Sequence, residues 1–558
     1  MSVLDRTGVL AGLVLLTGVV MLIAGALETG VTLDEPLHVD RADSWIEDGW
    51  YVPESLLVDG RPNPDSDLAS PYVYGPAFAA LGHAANVVAG NEAIDEISLS
   101  AGAYRVRHLT AAMLALLAIA AVGVAVSILT RSRHFGLWAA AALVAIPEWT
   151  GQAFFNPKDT PAATGYTLIT VGLILALAGT PSGLAGRRRR WAIGLLLAAG
   201  FCIGAGTRLS LIFPFMASLV AYTALRLGQS RLGGVKRDPE TDLAVAAGAG
   251  GGLAAIAALY PQVASSPLTA LGETVSGSAD YPWTGVTLTA GQLLSEHPPW
   301  WYLPAWVGAA LPLLLGGLAV LGAVLGVRAL SRARGADWRG SLWSRPDLGL
   351  VLTLQQALLL PAAAVLAGTV MYSGMRQHIY LLPAVAILAG VGAHQLWTWV
   401  EAREPTGRWT GIAAALLCAA LLVPMAEQLR LFPYNYTYVN PVARIGGVNE
   451  RWETDYWVAS APEALARVPS GAELRCYLVF PSVPCESNQL EPFEDQRGTA
   501  VADEWRDDTA ATWAIVRKHA GNVPPPYCED ADSVTRNLGG EDVVMTYVLR
   551  CDPEQLAE

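Results

Sequence analysis

Eleven stretches of this chain are apolar over roughly the length that the hydrocarbon layer of a bilayer demands, and no other feature restricts the fold as severely. They fall near residues 7–27, 108–130, 134–150, 160–179, 191–207, 209–226, 242–260, 303–327, 348–370, 378–398 and 409–426. A spanning helix takes about 20 apolar residues, because lipid offers no partner to an unpaired backbone group. The two runs within 191–226 are short and tightly joined. Composition agrees: 53% of the 558 residues are hydrophobic and 15% charged, and mean hydropathy is +0.37. A chain of this kind lies mostly in lipid rather than in several soluble domains. The predicted fold class is a polytopic α-helical membrane protein. Only Ala24-Gly25-Ala26 resembles a cleavage site before Asp34, and the first run is long for a signal core, so it is read as a retained helix.

Orientation follows from arginine and lysine in the short loops. Alternate loops carry Arg131 and Arg133; Arg187 to Arg190; Arg226, Arg231, Lys236 and Arg237; Arg328, Arg332, Arg334 and Arg339; and Arg403 and Arg408. The opposite turns hold only Lys158, Arg208 and Arg376. The basic set is assigned to the cytoplasm, with the N-terminus. The first long loop (28–107) and the tail are then extracytoplasmic, and an odd number of crossings separates the termini. The net charge of −13 sits mainly in that loop and the tail. No basic face offers itself to nucleic acid.

Against this topology, the charges on the outer side need a reason. Asp34 and Glu35 follow the first span at once; helix capping ahead of Pro36 explains them blandly, use in a site more interestingly. His38 and Arg41 follow within a turn or two. Trp45, Trp50, Tyr51, Tyr72 and Tyr74 suit an interfacial belt or the stacking of sugar rings. Short amphipathic pieces near 36–48 and 75–89 are expected to lie in the interface. The turn Asn156-Pro157-Lys158-Asp159-Thr160-Pro161 presents a helix start and a cation, a combination that binds anions. Asp159 would repel phosphate unless paired with Lys158 or Arg208, or engaged with a metal. Residues 261–302, with Ser276-Gly277-Ser278 and Glu296-His297, are expected to form a mobile flap. Tyr372, Arg376 and His378 open the tenth span; the planar fork of arginine fits phosphate, and interfacial anchoring is the plainer alternative.

The sequence divides into a membrane module (1–426) and a C-terminal extracytoplasmic domain (427–558). Strands are expected at 474–480, 511–517 and 542–550, with helical stretches near 459–468 and 498–508, giving a small α/β unit. Four of the six cysteines, Cys476, Cys485, Cys528 and Cys551, lie in it. Three pairings are open, and spacing alone points to Cys476–Cys485 with Cys528–Cys551. Cys202 and Cys418 fall in apolar helices and read as packed thiols. No CxxC or HExxH metal motif occurs.

Taken together, Asp34-Glu35, the 156–161 turn, Arg376-Gln377-His378, Asn435-Tyr436-Thr437-Tyr438-Val439-Asn440-Pro441 and Glu453-Thr454-Asp455-Tyr456-Trp457 resemble the GT-C membrane glycosyltransferases, of the protein O-mannosyltransferase and lipid A aminoarabinose transferase type. The resemblance extends to about Trp457. It implies a GT-C-like fold and transfer of a sugar, usually with inversion, from a polyprenyl-phosphate carrier to an acceptor hydroxyl on a glycan, lipid or protein. A hydroxyl needs a carboxylate to take its proton. Asp34 is the expected base, with Glu35 second. Arg376, Lys158, Arg208 and His378 are expected at the donor phosphate, and Asp159, Asn156, His38 and Tyr372 in support or at the acceptor. Metal use varies in the group, so a divalent ion stays open. Pro36 and His38 depart from the bulkier residues usual there, which leaves the acceptor unassigned. A lipid-linked-sugar transporter and a membrane-anchored assembly protein are the competing readings. Charges gathered at one face, with no internal repeat, favour the enzyme over the transporter.

Overall fold

The computed structural model describes residues 3–91, 100–179, 183–231, 234–332, 348–404, 407–469, 472–479, 483–484, 500–501, 513–518 and 528–551. Eighteen α-helices are defined among them. In chain order they are α1 (Val3–Glu28), α2 (Glu35–Glu47), α3 (Ala77–Ala89), α4 (Ala101–Thr130), α5 (Arg133–Val144), α6 (Pro147–Gln152), α7 (Asp159–Leu177), α8 (Gly183–Gly200), α9 (Ile212–Arg231) and α10 (Pro239–Leu259). There follow α11 (Pro261–Ser265), α12 (Pro267–Ala279), α13 (Tyr302–Ala310), α14 (Leu313–Arg332), α15 (Gly349–Ala367), α16 (Leu381–Glu401), α17 (Arg408–Leu431) and α18 (Ala461–Leu465).

Among the described residues, eight helical stretches are long and apolar enough to cross a bilayer unaided: α1, α4, α7, α9 with the turn before it, α10, α15, α16 and α17. The pair α13 and α14, bent by 115°, is a broken span or a re-entrant loop. The bend has a local cause: Leu311 precedes Pro312 and is held extended, so the helix stops before the proline. Two expected spans are interrupted. The 134–150 run breaks into α5 and α6 where Ile146 is extended before Pro147. The 191–207 run is the end of α8 followed by a π-helical turn, Phe201–Ala205. The last span outruns its expected end at 426 and closes at Leu431.

Helix α7 is the axis of the bundle. Its apolar window is 94% buried, against 22% for α15, so α7 keeps almost no lipid face. Its two ends meet different chemistry. At one end Leu175 and Leu177 carbonyls accept from Arg189 and Gln229, beside the Arg190–Asp238 pair. At the other end stand Lys158, Asp159 and the loop that follows α1. The expected interfacial pieces are α2 and α3.

Segment 261–302 is pinned rather than free, contrary to the mobile flap expected. It forms α11, α12 and a hairpin of β1 (Thr287–Thr289) and β2 (Gln292–Leu294). Glu453 N–H donates to Leu288 O, Trp306 Nε1 to Thr289 Oγ1, and Met371 N–H to Glu296 O. His297 faces an exposed Asp280 (3.7 Å) and the Gly368 carbonyl.

The tail does not separate cleanly at 427. Residues 434–458 pack into the same core as the helices, with Tyr436, Tyr456 and Trp457 fully enclosed. Beyond them α18 covers a sheet in the order Val483–Pro484, Glu473–Val479, Trp513–Arg517, Glu541–Cys551, Cys528–Leu538. The Glu473–Val479 strand runs parallel to Trp513–Arg517, and the last two strands form a hairpin turned at Gly539-Gly540. The expected strands are therefore present, and Cys528–Leu538 is one the sequence did not reveal. The Cys528–Cys551 disulfide closes the open end of the hairpin. Cys202 and Cys418 are free thiols. Cys485, and with it the other expected pairing, lies outside the described residues; of the helix expected at 498–508 only Ala500–Val501 is described, and it is a short strand beside Glu473–Val479.

Candidate active site

Asp34 stands at the N-cap position of α2, yet its side chain caps nothing. The carboxylate Oδ2 instead meets Lys158 Nζ at 2.6 Å and Arg376 Nη1 at 3.1 Å. Three remote pieces of sequence thus converge on one oxygen. The side chains of Lys158 and Arg376 are 6% and 3% exposed and that of Asp34 is 14% exposed, so the acid is the reachable member. Burial by itself raises its pKa, but the charges of Arg376 and Lys158 outweigh burial and hold it well below the usual carboxylate range. The same contacts raise Lys158 and Arg376 against the opposing pull of burial.

Glu35 has another task. Its Oε2 accepts from Thr32 N–H (2.8 Å) and Thr32 Oγ1 (2.9 Å), and its Oε1 lies 2.8 Å from His108 Nε2. Fully buried, it fastens the start of α2 to α4. Leu33 N–H donates to Trp457 O, which ties the same turn to the tail. Of the two adjacent carboxylates, one braces the loop and the other faces the cations.

Lys158 arrives through a capped turn. Asn156 Oδ1 accepts the N–H groups of Asp159 (2.9 Å) and Lys158 (3.3 Å), and Pro161 costs no hydrogen bond in the first turn of α7. Asn156 Nδ2 reaches Asp159 Oδ2 at 3.1 Å. The other Asp159 oxygen pairs with Arg208 Nη1 at 3.0 Å, which removes its charge from the set that would repel phosphate. Arg208 also donates to Gln377 O, beside Arg376. It comes close because Gly75 and Gly206 pack without side chains: a Cβ on Gly75 would lie 2.4 Å from the Gly206 carbonyl. Arg376 follows a turn whose Ser373 and Gly374 are both left-handed (φ 53° and 73°), a conformation that glycine adopts freely.

Aromatic rings hold the cations. Tyr74 has Arg41 at 5.2 Å, Lys158 at 5.3 Å and Arg208 at 5.7 Å from its centroid. Arg376 lies 4.8 Å from the Tyr372 ring and 4.6 Å from the Trp457 ring. Trp283 stacks on Tyr372 at 4.3 Å and 7°. His38 hydrogen-bonds Tyr51 (3.0 Å) and meets Tyr74 edge-on. His38 is held well below its ordinary pKa by burial, with Lys158 and Arg41 adding to the effect. Burial and the Arg208 charge bring His378 down to about 3. Both rings are therefore neutral near pH 7.

Tyr74 and Tyr372 also line a cavity of about 330 Å³. Arg208, Gln377 and His378 are polar members of its lining, and Phe213, Leu360, Ala363, Ala367 and Val370 are apolar ones. Asp34, Lys158 and Arg376 stand behind the two tyrosines rather than on the cavity wall. All ten residues singled out in the sequence lie at this end of the bundle, with Glu35 turned into its brace. Sequence reasoning gave no role to Tyr74 as a cation platform, to Trp457 or to Arg41. Aromatic residues close in sequence to outer charges were the available signal. Among the described residues, no group of three or more His, Cys, Asp and Glu side chains is placed to hold a metal ion.

Fold and site together define a multi-pass helical membrane protein with a buried, aromatic-walled charge cluster at one end of the bundle. No protein-family model and no curated protein matches the sequence. Among solved structures, the chain is similar to ArnT from Cupriavidus metallidurans bound to undecaprenyl phosphate, at 13% identity and a TM-score of 0.44, covering 96% of this chain and 97% of that one. The apo form of the same protein matches at 14% identity, with the same TM-score and coverage.

Proposed function

We propose that this protein is an inverting glycosyltransferase that moves a sugar from a polyprenyl-phosphate carrier to an acceptor hydroxyl at the outer face of the cytoplasmic membrane. The observation that carries the reading is the cleft of Tyr74, Arg208, Tyr372 and His378, whose lining joins these polar groups to apolar side chains of α9 and α15. A phosphate head on an isoprenoid tail has that polarity. Arginine and lysine in the loops of the opposite end support the sidedness.

In the proposed reaction the acceptor oxygen attacks the anomeric carbon from the face opposite the phosphate. The new carbon–oxygen bond forms as the bond from that carbon to the phosphate oxygen breaks. The carrier leaves with the electron pair as a polyprenyl phosphate, and the hydroxyl proton passes to Asp34. Charge therefore grows on phosphate while it is quenched on Asp34. Arg376 and Lys158 serve both ends: as they lean toward the leaving group, Asp34 loses the cations that depress its proton affinity and becomes a better base. Arg208 holds the phosphate, with Asp159 and Asn156 fixing its position. His378, neutral, contributes a hydrogen bond rather than a charge.

The test uses purified full-length protein with labelled polyprenyl-phosphate sugar. Asp34→Asn is expected to abolish transfer while keeping carrier binding. Full activity in this variant removes Asp34 as the base. Carrier movement across vesicles without transfer by the wild type makes the protein a transporter instead.

A further inference from the structure

The donor cleft shares a wall with a second cavity of different chemistry. Val73 and Gly277 line both. A Cβ built on Gly277 would lie 2.7 Å from Val73 Cγ2, so glycine is what lets α12 close against the 72–74 turn here. The partition is a single side chain thick.

The second cavity, of about 710 Å³, lies between residues 50–73 of the first loop and α12. Trp50, half-buried, and Tyr72 offer aromatic faces, and Asn63, Ser70, Thr269 and Ser276 offer amide and hydroxyl partners. Three carboxylates, Asp67, Glu273 and Asp280, line it against one guanidinium, Arg61. Asp280 also faces His297 at 3.7 Å. The donor side is the reverse, with Lys158, Arg208 and Arg376 outnumbering Asp34 and Asp159.

We propose that this cavity binds the acceptor, and that the acceptor is a neutral or amino-bearing saccharide carrying no phosphate where it is held. The inference rests on the glycosyltransferase reading above and deepens it. An aromatic face matches the C–H face of a pyranose, and carboxylates accept hydrogen bonds from vicinal hydroxyls or an ammonium group. The same carboxylates repel phosphate, which separates this hollow from the cleft across Val73, where Arg208 is in the lining. The shared wall then explains how two bulky substrates meet: each keeps its own chamber, and only the reacting ends approach along the Tyr72–Tyr74 segment.

The test reads full-length protein in nanodiscs on an immobilised panel of neutral, amino and phosphorylated oligosaccharides, while donor binding is measured separately with undecaprenyl phosphate. Neutral or amino oligosaccharides are expected to be retained and phosphorylated ones not. Trp50→Ala is expected to weaken retention about tenfold, and Glu273→Gln, which keeps the shape and removes the charge, about threefold. Undecaprenyl phosphate affinity is expected to stay unchanged in both variants, which shows that they fold. Preference for phosphorylated members, retention indifferent to Trp50→Ala, or no retention of any member overturns the inference. Failure of the wild type to bind undecaprenyl phosphate overturns the donor reading instead, and the saccharide panel is still decided on its own outcome.

Discussion

Both ends of this bundle carry arginine paired with carboxylate, and the two pairings differ in what surrounds them. At the basic end, Arg190 meets Asp238 and Glu240 with its side chain 26% exposed and that of Glu240 71% exposed. At the site end, Arg376 and Lys158 share Asp34 almost out of reach of water. A partly exposed pair contributes little to stability. A buried pair must be held by geometry, because desolvation costs more than a loose contact returns. The rings of Tyr74, Tyr372 and Trp457 supply that geometry. Charge spent in this way calls for a use, whereas charge at the other end calls only for water.

Substitutions should expose the contrast. After the abolition expected of Asp34→Asn, Arg376→Ala is expected to have the next largest effect: it leaves Asp34 with half its cationic support and lowers transfer kcat/KM on the order of a hundred- to thousandfold. A loss confined to KM would retire its role in the transition state. Next comes the pH profile. Since Asp34 is held below the usual carboxylate range, wild-type turnover should show no Asp34 limb between about pH 5 and 8. The stability that this ion pair contributes is present above the unfolded carboxylate pKa of about 3.9 and is lost only as pH falls through the lower folded value. In Arg376→Ala the carboxyl pKa should rise, bringing an acid limb upward; an unmoved profile would separate Asp34 from catalysis. Asp159→Asn should weaken carrier binding by about tenfold through a loosened Arg208, with kcat less affected. The smallest effect belongs to Arg190→Ala: stability within about 0.5 kcal/mol of wild type and unchanged transfer. A collapse of activity there would erase the distinction between the two ends.

The sequence made this contrast legible in part. Topology follows from apolar length and loop charge, and it places Asp34, Lys158, Arg208 and Arg376 at one end because each lies in a turn of the same parity. Which neighbour of an acidic pair turns inward does not follow. Asp34 and Glu35 are adjacent at the start of a helix and diverge, and only His108, in another helix, shows that Glu35 is taken. Arg208 was one of several partners open to Asp159, and the close approach of Gly75 and Gly206 decides it. The pinning of 261–302 was hidden because its partners, Trp306, Met371 and Glu453, are remote in sequence. The interrupted spans were written in Pro147 and Pro312, but hydropathy averages across a proline that the backbone cannot ignore.

Trp457 gives the site an order of assembly. It supplies the carbonyl that receives the Leu33 N–H and the ring against which Arg376 rests. Ribosomes make the chain from the other end, so every crossing emerges before this indole does. A nascent chain can therefore sit in the membrane with all its lipid-facing helices formed and still lack the keystone beside Asp34. The charge cluster beside Asp34 is therefore complete only once the tail has folded back onto the helices.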